Sequence, residues 1–145
     1  MKLRLYNTAS RSVEDFEPIA APLVTLYTCG PTVYYYTHVG HLRAYTNSDI
    51  LRRTMEYAGY NVRHVMNVTD VGHMTSDADE GEDKLEVGAQ RENKTPWEIA
   101  RYYEDHFFNT IAKANIHTPH VICRATEHVQ QQIELIKRLE EKGFT

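Results

Sequence analysis

The sequence predicts an α/β fold, a Rossmann-like parallel sheet with flanking helices. Three short segments have the alternation or β-branched content of strands, at residues 23–29, 61–68 and 121–123. Segments of helical periodicity separate them, and three strands that alternate with helices make half of a doubly wound nucleotide-binding sheet. At 145 residues the chain has the commonest size of a single domain, so we expect one domain over residues 1–145.

The first half of the chain gives a strand, a polar turn and a helix. Residues 23–29 alternate apolar and small polar side chains and then stop at Gly30-Pro31. Apolar residues then fall near helical spacing from Gly40 to Ala58, and Gly59 predicts the end of that helix. The second strand, 61–68, follows directly, as in a crossover unit of parallel sheet.

The second half predicts a loop, two helices and a third strand. Residues 75–90 are acidic with two glycines, which favours a solvated, mobile loop. The sequence Thr95-Pro96-Trp97-Glu98 combines a capping box with proline at the first helical position, so a helix should begin there. After the strand 121–123, Thr126 is expected to cap a last helix with one apolar stripe before Gly143.

Composition limits the classes of partner. With 16 Lys and Arg against 20 Asp and Glu, the formal charge of −4 argues against a broad basic surface for a polynucleotide. Two distant cysteines favour neither a disulfide framework nor a self-contained zinc ribbon, which indicates a reducing compartment. No run of 18 apolar residues occurs. We therefore expect a cytoplasmic protein without a membrane partner.

The motif His38-Val39-Gly40-His41 is the strongest functional signal. Two imidazoles three positions apart, after a strand and at the start of a helix, are suited to a phosphate-binding turn, because imidazole N–H groups donate to phosphate oxygens. Gly40 would let a nucleotide come close to the helix. An alternative interpretation is two polar residues at a helix start that are satisfied by backbone or water.

The surroundings of this motif resemble the first half of the catalytic domain of cysteinyl-tRNA synthetases. The resemblance covers nearly the whole chain, from Leu5 to Gly143. It rests on five segments in matching order and spacing: Cys29-Gly30-Pro31-Thr32-Val33-Tyr34, Thr37-His38-Val39-Gly40-His41, Asp49-Ile50-Leu51-Arg52-Arg53, Asn67-Val68-Thr69-Asp70 and Arg124-Ala125-Thr126-Glu127-His128.

The resemblance implies roles for the histidine motif. In such synthetases this motif contacts the ATP phosphates, so His38 and His41 are expected to act as catalytic residues on the α-phosphate and the bridging oxygens. They would stabilise negative charge as the carboxylate of cysteine attacks the α-phosphorus and pyrophosphate departs. Gly40 would complete the ATP site, and Mg²⁺ would accompany the nucleotide.

The resemblance also implies a cysteine pocket and a metal ligand. Gly30, Thr32 and Thr69 match positions at the amino-acid pocket. Cys29 matches one of four zinc ligands, and zinc would bind the substrate thiolate in preference to the hydroxyl of serine. The family's other three ligands, a Cys, a His and a Glu, lie beyond the matched region, so Cys29 alone should hold zinc weakly or not at all.

Several further residues have structural interpretations. Asp49 and the Arg52-Arg53 pair are expected on a solvated helix face, paired with each other. His73 is interpreted as a loop residue, and the acidic stretch 77–83 lacks the spacing of a calcium loop. Cys123 is interpreted as structural. Tyr35 stands where many members of the family have an acidic or amide residue.

Three functions remain open at this point. The resemblance implies a cysteine–tRNA ligase fragment that activates cysteine with ATP and charges tRNA(Cys) in the complete enzyme. The second half of the catalytic domain, with its K-M-S-K-S loop, and the anticodon-binding domain are expected to be absent, so the isolated chain should be inactive. The alternatives are a ligase that transfers cysteine to a small amine, as mycothiol ligases do, and a non-catalytic nucleotide-binding module.

Overall fold

The structure is a computed structural model that describes residues 2–71 and 84–145. Five strands and four α-helices follow one another in these residues. In chain order they are β1 (Arg4–Asn7), β2 (Ser12–Asp15), β3 (Leu23–Thr28), α1 (Val39–Tyr57), β4 (Asn61–Val68), α2 (Lys84–Glu92), α3 (Pro96–Lys113), β5 (Val121–Arg124) and α4 (Val129–Glu141), with a 3₁₀ turn at Ala125–His128 before α4.

The sheet confirms the predicted α/β class. Its strand order is β3-β4-β5, and β3 pairs with β4 in parallel from Leu23 opposite Asn61 to Thr28 opposite Met66. The helix α1 connects the two parallel strands, and it matches the predicted helix to within one residue at each end. It ends where Gly59 adopts a φ of +94°, a conformation that glycine reaches without a steric penalty.

The helix α3 begins as its capping box predicts. The backbone N–H of Thr95 donates to Glu98 Oε2 at 2.8 Å, and the Glu98 N–H donates back to Thr95 Oγ1 at 3.3 Å. The apolar stripe of this helix is buried, with Ile99, Tyr103 and Phe107 almost without exposed surface. The capping residues and the buried stripe therefore fix both the start of α3 and its orientation.

The chain forms two compact units, each with its own apolar core. Unit 1 consists of Met1–Thr28, Thr37–Met66 and Thr110–Val121. Unit 2 consists of Cys29–Tyr36, Asn67–Asn109 and Ile122–Thr145. Buried Leu3, Val24 and Met55 form the core of unit 1. The core of unit 2 contains Val33, Val68, Leu85, Ala89, Ile99, Ala100 and Tyr103.

Four expectations need correction. Residues 84–90 are not loop but belong to α2, whose Leu85 and Ala89 are buried, because most acidic residues of the predicted loop lie before Lys84. Thr126 does not cap α4, because its hydroxyl donates to Asp70 instead. The antiparallel hairpin β1–β2 was not expected. The predicted α4 stripe forms, and its residues Val129, Ile133 and Ile136 are exposed.

The fourth correction concerns the predicted solvated face of α1. Asp49 and Arg52 are only 6% and 7% exposed. The expected pairing along the helix is present, from Arg53 to Asp49 and from Arg52 to Glu56. Both arginines also donate to backbone carbonyls, Arg52 to Thr118 and Arg53 to Asn115, so this face of α1 fixes the segment that precedes β5.

Some expectations concern residues outside the described part of the chain. His73, the acidic stretch 77–83 and the first part of the loop expected at 75–90 lie there. Cys123 lies in β5 and is half-buried, in agreement with its structural interpretation. Among the described residues, no helix is long and apolar enough to cross a membrane.

Candidate functional site

The histidine motif forms the first turn of α1 in unit 1. His38 is the N-cap residue, with the extended backbone that this position requires, and His41 is the third residue of the helix. The Gly40 N–H donates to His38 Nδ1 at 3.1 Å, and the His38 N–H donates to His41 Nδ1 at 3.3 Å. Two imidazoles thus make the reciprocal capping box that usually needs a Ser or Thr and a Glu or Gln.

This hydrogen bonding decides which nitrogen of each ring carries the proton. Because Nδ1 accepts from the backbone in both His38 and His41, the neutral rings carry their proton on Nε2. The rings are exposed and stack at 3.7 Å between centroids. Partial desolvation of the ring, and then the charge of His38, lowers the pKa of His41 below its ordinary value of 6.5. At pH 7 His41 is therefore a neutral Nε2–H donor.

Gly40 has a local steric role in this arrangement. A Cβ at residue 40 would lie 2.9 Å from His38 Cε1 and 3.0 Å from His38 Nδ1. A side chain at residue 40 would displace the His38 ring, which folds back over the start of the helix, from its capping position. This packing is a reason for glycine in addition to nucleotide access.

The expected cysteine pocket lies in unit 2, where Gly30, Thr32 and Thr69 come together. Thr32 and Thr69 form a parallel β-bridge. The Thr69 N–H donates to the Pro31 carbonyl at 3.0 Å, and the Val33 N–H donates to the Thr69 carbonyl at 3.2 Å. Backbone hydrogen bonds therefore join the Gly30 segment to the segment that follows β4.

Asn67 is a residue that sequence reasoning did not assign. Its Oδ1 accepts from the Gly30 N–H at 2.8 Å, and its Nδ2 donates to Thr69 Oγ1 at 3.1 Å. One amide side chain therefore holds both the glycine and the threonine of the expected pocket. An Asn among the apolar residues Val65, Met66 and Val68 near the end of β4 was the signal available in the sequence, since such a residue needs a polar partner.

Asp70 connects two of the segments that carried the resemblance. Its two carboxylate oxygens accept from the Thr126 N–H at 3.0 Å and from the Thr126 hydroxyl at 2.5 Å. Arg124 forms a bidentate ion pair with Glu104 of α3. The Asn67–Asp70 segment and the Arg124–His128 segment thus lie together in unit 2, as parts of one hydrogen-bonded structure.

Cys29 is exposed and has a free thiol. Within residues 2–71 and 84–145, no group of three or more His, Cys, Asp or Glu side chains could hold a metal ion. One thiol does not fit a closed zinc site, which needs four ligands. The described residues therefore do not make a zinc centre.

Comparison with known proteins identifies the family of this chain. Residues 15–145 match a family model described as the tRNA synthetases class I (C) catalytic domain. The chain belongs to this family. It is 49% identical over 145 residues to the cysteine–tRNA ligase of Treponema denticola, and 51% identical over 144 residues to cysteine–tRNA ligase 1 of Burkholderia lata. The cysteine–tRNA ligase of Zymomonas mobilis is 46% identical over 140 residues.

These alignments cover the chain almost completely but the relatives only in part. They include 100%, 99% and 97% of this chain, against 30%, 31% and 27% of the three ligases. The family membership expected from the five sequence segments is confirmed. The chain spans about a third of the length of these curated relatives.

Proposed function

We propose that this chain supplies the histidine-bearing part of a cysteine–tRNA ligase. The reaction is ATP-dependent activation of cysteine to cysteinyl adenylate, followed by transfer of cysteine to tRNA(Cys). Support comes from the family match and from the relatives, which are cysteine–tRNA ligases. The observation that carries the proposal is the hydrogen bonding of His38 and His41, which leaves both Nε2–H groups as donors at a helix N-terminus.

The histidine pair would act on the phosphates of ATP. When the carboxylate of cysteine attacks the α-phosphorus, negative charge grows on the phosphate oxygens and the bond to pyrophosphate breaks. Neutral Nε2–H donors stabilise that charge without a proton transfer, and the first turn of α1 adds the positive end of its dipole. Since capping bonds hold the rings before ATP binds, little reorganisation is needed in the transition state. Mg²⁺ would enter as the counter-ion of the nucleotide.

The pocket of Gly30, Thr32 and Thr69 would hold cysteine. Glycine at residue 30 keeps side-chain volume out of the pocket, and the Thr69 hydroxyl, whose oxygen accepts from Asn67, retains its own proton for donation. A hydroxyl donor of this kind suits a substrate carboxylate. Gly30 and Thr69 would therefore position the substrate, and Asn67 would position them.

The test uses a chimera, because the relatives are longer than this chain. Residues 1–145 replace the equivalent segment of the Treponema denticola ligase, to which they are 49% identical. We expect cysteine-dependent exchange of pyrophosphate into ATP, and charging of tRNA(Cys). The native ligase is the positive control and serine in place of cysteine is the substrate control.

Three results would contradict the proposal. A folded chimera without exchange would favour a non-catalytic nucleotide-binding module. Exchange that serine supports equally would remove cysteine as the substrate. Exchange without tRNA charging, combined with transfer of cysteine to a small amine, would favour the mycothiol-ligase type of reaction.

A further inference from the structure

Unit 2 carries a surface of tyrosine rings that the proposed activation step does not use. Its members are Tyr35 and Tyr36, which follow the pocket segment, and Tyr102 on α3. They are 53%, 42% and 44% exposed. We call these three residues, with Arg91 and Lys94, the tyrosine surface. Aromatic side chains that stay half exposed in one contiguous group mark an interaction site more often than a core.

Contacts with neighbouring aromatic side chains hold the rings in fixed positions. Tyr36 packs edge-on against the buried Tyr103 at 5.0 Å between centroids and against His106 at 4.7 Å. Tyr35 contacts Tyr36 at 5.5 Å, and the hydroxyls of Tyr36 and Tyr102 lie 3.1 Å apart. The rings therefore have little freedom to lose when a planar ligand stacks on them, which favours binding.

Two cations lie beside the rings. The Arg91 guanidinium lies 4.8 Å from the centroid of Tyr35, and the Lys94 ammonium lies 4.6 Å from that of Tyr102. Glu92, between them in sequence, pairs with both cations and accepts from the Tyr103 hydroxyl. Two positive charges and one negative charge leave the group with a net charge of +1, in a chain whose formal charge is −4.

Exposed rings with cations lying over part of their surface are the chemistry that binds single-stranded nucleic acid. Each base can stack on an aromatic side chain, and Lys and Arg pair with the phosphates between bases. A duplex does not fit, because its bases are already stacked. An acidic peptide would use the cations but not the faces of the rings. The combination favours unpaired nucleotides.

The sequence position of the surface indicates which nucleotides these are. Tyr35 lies three residues beyond Thr32, and Val33 between them is bonded to Thr69 of the expected pocket. An acceptor RNA must bring an unpaired end to the activated amino acid. We propose that the tyrosine surface binds unpaired nucleotides of the acceptor RNA; this inference rests on the proposed function.

The experiment measures binding of a fluorescein-labelled, eight-nucleotide single-stranded RNA to the chain by fluorescence anisotropy, at several salt concentrations. The double variant Tyr35→Leu/Tyr102→Leu should bind about tenfold more weakly, because it keeps apolar volume but loses two stacking faces. Tyr35→Phe/Tyr102→Phe keeps those faces and should bind within about twofold of the parent. Arg91→Gln/Lys94→Gln removes two cations and should reduce the salt slope by about 1.4.

The matched control is Tyr6→Leu/Tyr57→Leu, which removes two tyrosines of unit 1 that are 62% and 84% exposed. It should bind as the parent does. Circular dichroism and thermal unfolding of every variant show that the fold is kept, and the Phe pair tests the surface even if the Leu pair unfolds. If the Leu pair unfolds, the proposal is supported when the Phe pair retains RNA binding and the Arg91→Gln/Lys94→Gln variant has a lower salt slope.

The inference is overturned if the folded Leu variant binds as tightly as the parent, if the unit 1 control weakens binding equally, or if a duplex of the same RNA binds as tightly as the single strand. It is also overturned if the Phe pair loses binding with the fold intact. The pyrophosphate exchange assay contains no RNA. If the chimera is active in exchange but the tyrosine surface fails the binding tests, only the proposed role of the surface is rejected. If the chain binds RNA but the chimera shows no exchange, only the proposed cysteine activation is rejected.

Discussion

The histidine pair of unit 1 and the proposed cysteine pocket of unit 2 differ in how far apart in sequence their supporting residues lie. His38, Gly40 and His41 support one another within four residues, through two capping bonds. Gly30 and Thr69 depend on Asn67, which is 37 residues from Gly30. The first site is set by local backbone geometry, whereas the second exists only after β3 and β4 have paired. Variants should therefore affect them differently.

The largest effect is expected at His41. In the chimeric ligase, His41→Ala should raise the barrier to cysteine-dependent pyrophosphate exchange by about 2–4 kcal/mol, a rate loss of about 30- to 1000-fold, because one preorganised donor is lost. Cysteine binding should change little. The measurement is the exchange rate as a function of cysteine concentration.

His38→Asn is the companion variant that separates capping from chemistry. Asparagine is a good N-cap and keeps an acceptor for the Gly40 N–H, so stability should stay within about 0.5 kcal/mol of the parent. It has no Nε2–H donor, so exchange should fall. Normal exchange in both histidine variants would leave the motif a helix-start feature.

The second prediction concerns Asn67. Asn67→Ala removes the acceptor of the Gly30 N–H and the donor to Thr69, and should lower the free energy of unfolding by about 1–3 kcal/mol. In the chimera it should also raise the KM for cysteine. Urea unfolding measures the first effect and exchange kinetics the second.

Asn61→Ala provides the matched control on the same strand. Asn61 lies at the exposed start of β4, and its replacement should change stability by less than about 0.5 kcal/mol. If the two alanine variants were equally stable and kept the same KM, the pocket would not depend on the distant amide.

The third prediction is a pH dependence in unit 1. His64 is buried, its Nε2 lies 2.7 Å from Thr28 Oγ1, and its backbone N–H donates to His120. Burial, and then the charges of Arg52 and His120, lower the pKa of His64 below its ordinary value of 6.5, against a smaller opposite effect of Asp49 and Glu56.

Because the folded pKa of His64 is below the unfolded one, the unfolded chain binds more protons in the window between them. This contribution to stability is complete above pH 6.5 and is lost as the pH falls from there through the lower, folded pKa. Urea midpoints between pH 5 and pH 8 should fall toward acid in the parent and less steeply in His64→Gln. If the urea midpoint varied with pH identically in the parent and in His64→Gln, or if His117→Gln changed this dependence equally, the pH dependence would come from groups other than His64.

The smallest effect is expected for zinc. Cys29 is one thiol, and the described residues include no group of three or more possible metal ligands, so purified protein should contain well below one zinc per chain. Elemental analysis should give the same low value for Cys29→Ser and Cys123→Ser. Stoichiometric zinc that is lost only in Cys29→Ser would show that other residues complete the site.

The sequence could predict the parts of this molecule that depend on neighbours in the chain. The strand at Asn61–Val68, the capping box of α3 and the glycine stop of α1 all follow from local patterns. The helix α2 was missed because the acidic residues of 75–90 lie mostly at 77–83, whereas Lys84–Glu92 carries two basic and two acidic residues and contains good helix formers such as Leu85 and Ala89.

The same limit applies to the candidate site. The residue types of the histidine motif suggested phosphate donors, but the choice of Nε2 required the capping geometry. Burial of Asp49 and Arg52 could not be read from α1 itself, since their partners lie 66 to 68 residues further along. Polar contacts between residues distant in sequence are thus the part of the structure that sequence periodicity does not predict.

The most direct test of the phosphate-donor account is long-range ¹H–¹⁵N NMR of the histidine rings at pH 8, before and after addition of ATP and Mg²⁺. The account predicts that His38 and His41 both carry their proton on Nε2, and that ATP shifts these Nε2 resonances while that of the exposed His117 stays in place. Binding by the isolated chain is expected to be weak, so millimolar ATP is used. Protons on Nδ1 of either ring, or Nε2 resonances that ATP leaves unchanged, would contradict it.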